Sequence, residues 1–220
     1  MTAYRAALEV YTREAAPDRW LFLQKQLQNT YVGLNDWEAV ARVGFEVFGQ
    51  GFDDNEVFSL TGSALHEKRY RFEDAYSLIR SWAGSHPDDI SARADLVECS
   101  LTTGRFGDAV RLAPDLLAAD GLGTSTKLAV QAQRVAALVG DGKRDEAPSG
   151  LATIKRMVSE EPSGFNVTWE FAGTRHFISN SPVFGSSRTQ LLKLFDALEG
   201  KDRDTILAGI DQIDVTALAQ

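Results

Sequence analysis

Chemistry in this 220-residue chain would have to begin with three histidines and a single cysteine. His66, His86 and His176 fall outside the His-x-x-x-His and Cys/His spacings that hold a metal ion. His66 sits where a helix should end, to cap it or to face a groove, and His86, before Pro87, reads as a loop residue. His176, within Gly173-Thr174-Arg175-His176-Phe177, is the most site-like of the three. With Trp169, Glu170, Arg175 and Asn180 close in sequence, it could form a polar pocket for a small molecule. The plainer arrangement makes Trp169, Phe171 and Phe177 core, with the polar side chains fringing it. Cys99 has no histidine in a supporting motif; helical spacing sets it near Leu96, facing a neighbour, as a small buried hydrophobe. Being alone, it excludes an intrachain disulfide and gives no sign of an oxidising compartment. Asp53-Asp54-Asn55-Glu56 lacks the twelve-residue ladder and closing glutamate of a calcium loop, and reads as a helix N-cap. Gly121-x-Gly123-Thr124 follows a helix rather than a strand, and no lysine completes a phosphate-binding loop. No catalytic residue, metal ion or cofactor is therefore expected.

Charge narrows the partners. The formal net charge is −8, from 31 acidic and 23 basic residues. Binding a nucleic-acid backbone needs clustered Lys and Arg to displace counterions. The densest basic run, His66-Glu67-Lys68-Arg69-Tyr70-Arg71, is short, is followed by Glu73 and Asp74, and reads as a solvated helix end. Nucleic acid is not an expected partner. With 44% hydrophobic and 25% charged residues, the composition is that of a folded chain. Met1-Thr2-Ala3-Tyr4-Arg5 enters an amphipathic helix without a hydrophobic signal region. No apolar run approaches the roughly 18 residues of a membrane span, so the expected location is cytoplasmic.

The elements that must position these residues are helices almost throughout. Apolar or small residues at Ala3, Ala6, Ala7, Val10 and Tyr11 predict a first helix over 2–15. Pro17-Asp18 opens a second, carrying Trp20, Leu23, Leu27 and Tyr31 on one face. A third presents Trp37, Val40, Val43 and Val47 before Gly49-Gln50-Gly51 breaks it. Helical spacing continues through Phe58, Gly62 and Leu65; Phe72, Ala75, Ile79 and Trp82; Leu96 and Leu101; Phe106, Ala109, Leu112 and Leu116; and Val130, Val135 and Leu138. Pro148-Ser149-Gly150 should interrupt the helix after Ala147, with recovery at Leu151, Ile154 and Val158. Ser179 to Ser187 reads as a loop, followed by a helical hairpin with Leu191, Leu194, Phe195 and Leu198 in one arm and Ile206, Ile210 and Ile213 in the other. Its turn, Gly200-Lys201-Asp202-Arg203-Asp204-Thr205, echoes that at Gly142. Phe165-Asn166-Val167-Thr168 is the only short strand candidate, and it is discounted.

One turn recurs. Asn35-Asp36-Trp37-Glu38-Ala39-Val40, Tyr70-Arg71-Phe72-Glu73-Asp74-Ala75, Gly104-Arg105-Phe106-Gly107-Asp108-Ala109 and Gly142-Lys143-Arg144-Asp145-Glu146-Ala147 close at 40, 75, 109 and 147, intervals of 35, 34 and 38. A polar turn at that period between apolar-periodic stretches predicts an all-α solenoid of antiparallel helix pairs.

The pattern resembles the tetratricopeptide repeat. The second unit matches best, with Phe58-x-x-x-Gly62-x-x-Leu65, then Phe72-x-x-Ala75, then Pro87. In the first unit Gln28 replaces the usual small residue, and in the fourth Arg144 replaces the aromatic. The opening stretch is also similar to bacterial repeat arrays with long helices. The likeness covers about 1–160, as four units with the first partial. Residues 161–220 would be an irregular segment and a capping hairpin on the same right-handed solenoid. It implies a concave groove lined by first helices, with Lys25, Asn29, Ser59, Ser63, His66 and Glu98 reading a protein or peptide partner, as in an adaptor, scaffold or regulatory subunit. Lys25 and Asn29 occupy the places of the first Lys and Asn in repeats that grip a C-terminal carboxylate; four residues apart, they share a helix face. Leu60, Ser91 and Asp95 depart from that clamp, and Asp95 would repel a carboxylate, so Lys25 and Asn29 read as a solvated pair. The reading from another class is a small-molecule sensor or enzyme using Trp169, Arg175, His176 and Asn180 in the 165–188 segment. A homo-oligomer is the third, resting on Trp20 and Trp82 being only partly covered.

Overall fold

A computed structural model describes residues 2–219. The side chains of Thr2, Ala3 and Arg5 lie outside the described residues, and with them the apolar position expected at Ala3. The chain is all-α, with no strand among the described residues; Phe165 to Thr168 run without regular structure. No described helix is long and apolar enough to cross a membrane.

The chain divides into two compact units, Met1–Arg71 and Phe72–Gln220. The first holds α1 (Thr2–Val10), α2 (Pro17–Gly33), α3 (Trp37–Gly49) and α4 (Asn55–Ser63), which passes directly into a π-helical turn, Ala64–Lys68. The second holds α5 (Phe72–Ser85), α6 (Ile90–Thr102), α7 (Phe106–Ala118), α8 (Thr124–Gly140), α9 (Ala147–Ser159), α10 (Ala172–Asn180), α11 (Arg188–Leu198), α12 (Arg203–Ile210) and α13 (Val215–Ala219).

The four recurrent turns have one backbone geometry. Asn35, Tyr70, Gly104 and Gly142 are all left-handed, with φ of 55, 55, 73 and 78°. The following N–H reaches back to a carbonyl of the last helical turn: Asp36 to Tyr31 at 3.0 Å, Arg105 to Ser100 at 2.8 Å and Lys143 to Leu138 at 2.9 Å. This is the six-to-one bond that satisfies orphan carbonyls where a helix stops. Arg71 makes the corresponding bond to Leu65, 2.8 Å, one residue further back. The extra residue is absorbed by the π turn 64–68, which closes wider rings than an α-helix.

Three expectations give way at helix ends. The first helix stops at Val10 rather than at 15. Pro148 does not interrupt a helix; it lies in the first turn of α9, where its missing N–H would have had no partner anyway. The Gly200 turn does not repeat the Gly142 geometry, since Gly200 is not among the left-handed residues, and Asp202 caps α12 by accepting from Thr205 N at 2.8 Å.

In the first unit Gln28, standing where a small residue was expected, is fully buried between helices. Its Nε2 donates to Val40 O and to Thr61 Oγ1, both at 3.1 Å, tying α2 to α3 and α4. Gly44 lets Thr61 approach so closely that a Cβ there would lie 1.8 Å from Thr61 Oγ1. In the second unit α8 is buried on every side, its eleven buried residues spread round the whole helix. Segment 165–219 packs around it: α10 lies on α6, α11 and the 3-10 turn Pro182–Ser187 on α8, and α12 and α13 on α9. Residues on both sides of position 160 thus share one core, from Val97 and Leu128 to Phe171, Leu194 and Ile206. Trp20 and Trp82 are 6% and 8% exposed, so the partly covered tryptophans expected of an oligomer interface are instead interior.

Candidate functional site

The polar rim of the first unit lies where α2 meets the start of α4. Asp54 caps α4, its Oδ1 accepting from Glu56 N and Val57 N, both at 3.1 Å. Its Oδ2 lies 3.0 Å from Lys25 Nζ, which also meets Glu56 Oε2 at 2.8 Å. Asn29, one turn on from Lys25, donates Nδ2–H to Glu56 Oε1 at 3.1 Å. An ammonium and an amide thus converge on a carboxylate, and that carboxylate belongs to the chain itself. The pair is not simply solvated. Phe22, three residues before Lys25, is 60% exposed beside them; Ser59 is exposed and Ser63 half-buried on α4.

The electrostatics of the rim are mutual. Hydrogen bonds that Lys25 donates to Glu56, then to Asp54, raise its ammonium above the usual range. Glu56 is held low chiefly by Lys25, then by Asn29. Burial pushes the Asp54 carboxyl up, but the Val57 N–H and the Lys25 ammonium outweigh it and leave it below the usual range. Carboxylates with depressed folded-state pKa contribute stability above their unfolded pKa and lose it as pH falls through the folded one. Unfolding temperature should therefore drop on acidification below about pH 4, and Lys25→Gln should flatten that drop. An unchanged slope in Lys25→Gln would show that the rim carries no linked protons.

The other groove residues are not open. His66 is 4% exposed inside the π turn, with Nδ1 2.7 Å from Glu67 Oε1. The basic run around it ends the helix and stays largely exposed, with Lys68 over the Trp37 ring at 5.6 Å and Arg69 and Arg71 paired with Glu38. Glu98 is 4% exposed in the second unit, accepting from Trp169 Nε1 at 2.9 Å and from Thr174 Oγ1. Spacing could not reveal this, because its partners lie 71 and 76 residues on.

The 165–188 residues do not gather into one pocket. Trp169 turns inward to Glu98. Arg175 bridges Asp196 and Glu199, both at 2.7 Å. His176 is exposed, its ring 6.3 Å from that of Phe72, and Asn180 donates back to His176 O at 2.7 Å. His86 stacks on Trp82 with ring centroids 4.1 Å apart, and Cys99 is buried and in no disulfide.

Compared with protein-family models, with curated proteins and with solved structures, the chain finds no match in any of the three. Its function has to be argued from its own turns and side chains.

Proposed function

We propose that this chain is a helical-repeat interaction module, built on the plan of tetratricopeptide repeats, that receives a protein or peptide segment on the α2/α4 face. The observation that carries this reading is the half-exposed Lys25–Asn29–Glu56 arrangement beside Phe22. A large exposed apolar side chain next to hydrogen-bonding charges is the composition of an interface anchor and its rim. A partner carboxylate can take the place of Glu56 on Lys25 and Asn29 at little net cost, because one charge-assisted contact is exchanged for another. The recurrent left-handed turns support the repeat plan, and their period supports a solenoid. Catalysis does not enter this reading: the rim carboxylates Asp54 and Glu56 are spent on the α4 cap, Lys25 and Asn29.

Photo-cross-linking tests it. A photoreactive residue at Phe22 or Ser59 should capture a discrete partner in the native cell, whereas one at exposed Arg111 on α7 should not. Lys25→Glu should reduce the adduct about tenfold, the loss of one interface hot spot. Capture that is equal at all three positions, or indifferent to Lys25→Glu, overturns the assignment.

A further inference from the structure

A second feature of the first unit is independent of the α2/α4 rim. Between α1, α2 and α3 lies an open cleft of about 310 Å³, at the lower end of the range of small-molecule sites. Its surface is mostly polar, from Gln24, Arg42 and Glu46; Leu8 is half-buried at its edge, and Leu27 and Val43 are buried beneath it.

Gln24 is 1% exposed and donates Nε2–H to Glu46 Oε1 at 3.0 Å. This bond settles the orientation of the amide, since the flipped form would face oxygen to carboxylate. The other end of the amide, Oε1, is buried without a hydrogen-bond partner. A buried acceptor left unsatisfied is costly, and such groups mark places where a ligand or ordered water completes the site. Arg42 and Glu46 stand one turn apart on α3, at the spacing that favours an ion pair, yet form none with each other. The Arg42 guanidinium instead lies 5.9 Å from the centre of the Tyr31 ring. The cleft therefore offers a cation and an anion held apart, and an unused acceptor next to the anion.

We infer that this cleft binds a zwitterionic small molecule of the α-amino-acid class. The ligand carboxylate pairs with the Arg42 fork, whose planar donors match carboxylate geometry. The ligand ammonium sits against Glu46, and a small adjustment of the Gln24 side chain brings Oε1 to one of its protons. A ligand with only one charge would leave either Arg42 or Glu46 unpaired in the cleft, so both charges are needed.

Calorimetric titration of the full chain tests this with L-leucine, L-methionine and L-phenylalanine, with isoamylamine, which lacks the carboxylate, and with isocaproate, which lacks the ammonium. At least one amino acid should bind saturably, and each singly charged analogue should bind at least about tenfold more weakly. Arg42→Gln and Glu46→Gln change exposed side chains; each should lose about tenfold in affinity with the circular dichroism spectrum unchanged. Gln24→Leu removes the orphan acceptor and should abolish binding without lowering the unfolding temperature. Absence of saturable heat with all three amino acids overturns the inference, as does equal binding of an analogue or indifference to Arg42→Gln and Glu46→Gln together. Wild-type photo-cross-linking at Ser59 alongside Glu46→Gln separates this site from the α2/α4 face.

Discussion

Gly44→Ala should destabilise the first unit by about 3 kcal/mol, near the top of the range for overpacking a core. A methyl group there would lie 1.8 Å from Thr61 Oγ1 and 2.8 Å from both Thr61 Cβ and Cγ2. Thr61 cannot swing aside, because its hydroxyl donates to Val57 O at 2.6 Å and accepts from Gln28. Moving α4 outward instead would strip Gln28 of that acceptor inside the core. Urea unfolding followed by circular dichroism measures the loss. Thr61→Gly in the same chain removes the obstructing atoms and should recover most of it, less the roughly 1 kcal/mol that a helical glycine costs. Gly33→Ala, where nothing lies within 4 Å, should instead leave stability unchanged or slightly raised. Equal effects at positions 33 and 44 would mean that the close approach of α3 and α4 is not what holds this unit.

Glu98→Ala should cost the second unit about 3 kcal/mol, since it strands the buried Thr174 hydroxyl and the half-buried Trp169 N–H and opens a void. Trp169 Nε1 and Thr174 Oγ1 both end on this carboxylate, and through it segment 165–180 is fastened to α6. Glu98→Gln keeps a carbonyl acceptor and should cost less than half as much. Near-ultraviolet circular dichroism should change with Glu98→Ala, because the Trp169 ring loses the bond that orients it. Thr174→Val alone removes one of the two donors. Combined with Glu98→Ala it should show coupling of about 1 kcal/mol or more, as directly bonded residues do. Strict additivity would show that the two side chains do not act together.

Much of the helical framework was legible in the residues because its causes are local. Apolar spacing placed α2 through α8, and Asp53-Asp54-Asn55-Glu56 announced a helix start that Asp54 does cap. The recurrent turn was visible as a polar stretch of fixed period, although nothing in it announced that Tyr70, a bulky residue, would take the left-handed role of Gly104 and Gly142. The π turn Ala64–Lys68 at the end of the first unit was not legible either, since its one additional residue keeps both flanks apolar in pattern. Pro148 misled because a proline ends a helix from the inside but opens one from its first turn, and only the observed start at Ala147 distinguishes the two.

The candidate sites were legible as residue types and not as arrangements. Lys25 and Asn29 share a face by helical geometry alone, but Asn29 meets Glu56 from 27 residues away. His66 and Glu98 have the chemistry of groove residues and are almost wholly buried. The orphan oxygen of Gln24 had no signal at all, because an unsatisfied acceptor exists only relative to what surrounds it.

By itself the sequence determined an all-α chain, its helix starts and most of its stops, since hydrogen bonds between near neighbours and apolar periodicity are set within a few residues. The tertiary structure alone decided which polar groups are spent inside the protein and which stay at its surface. That division depends on helix packing, which brings residues tens of positions apart within hydrogen-bond reach and closes water away from some of them.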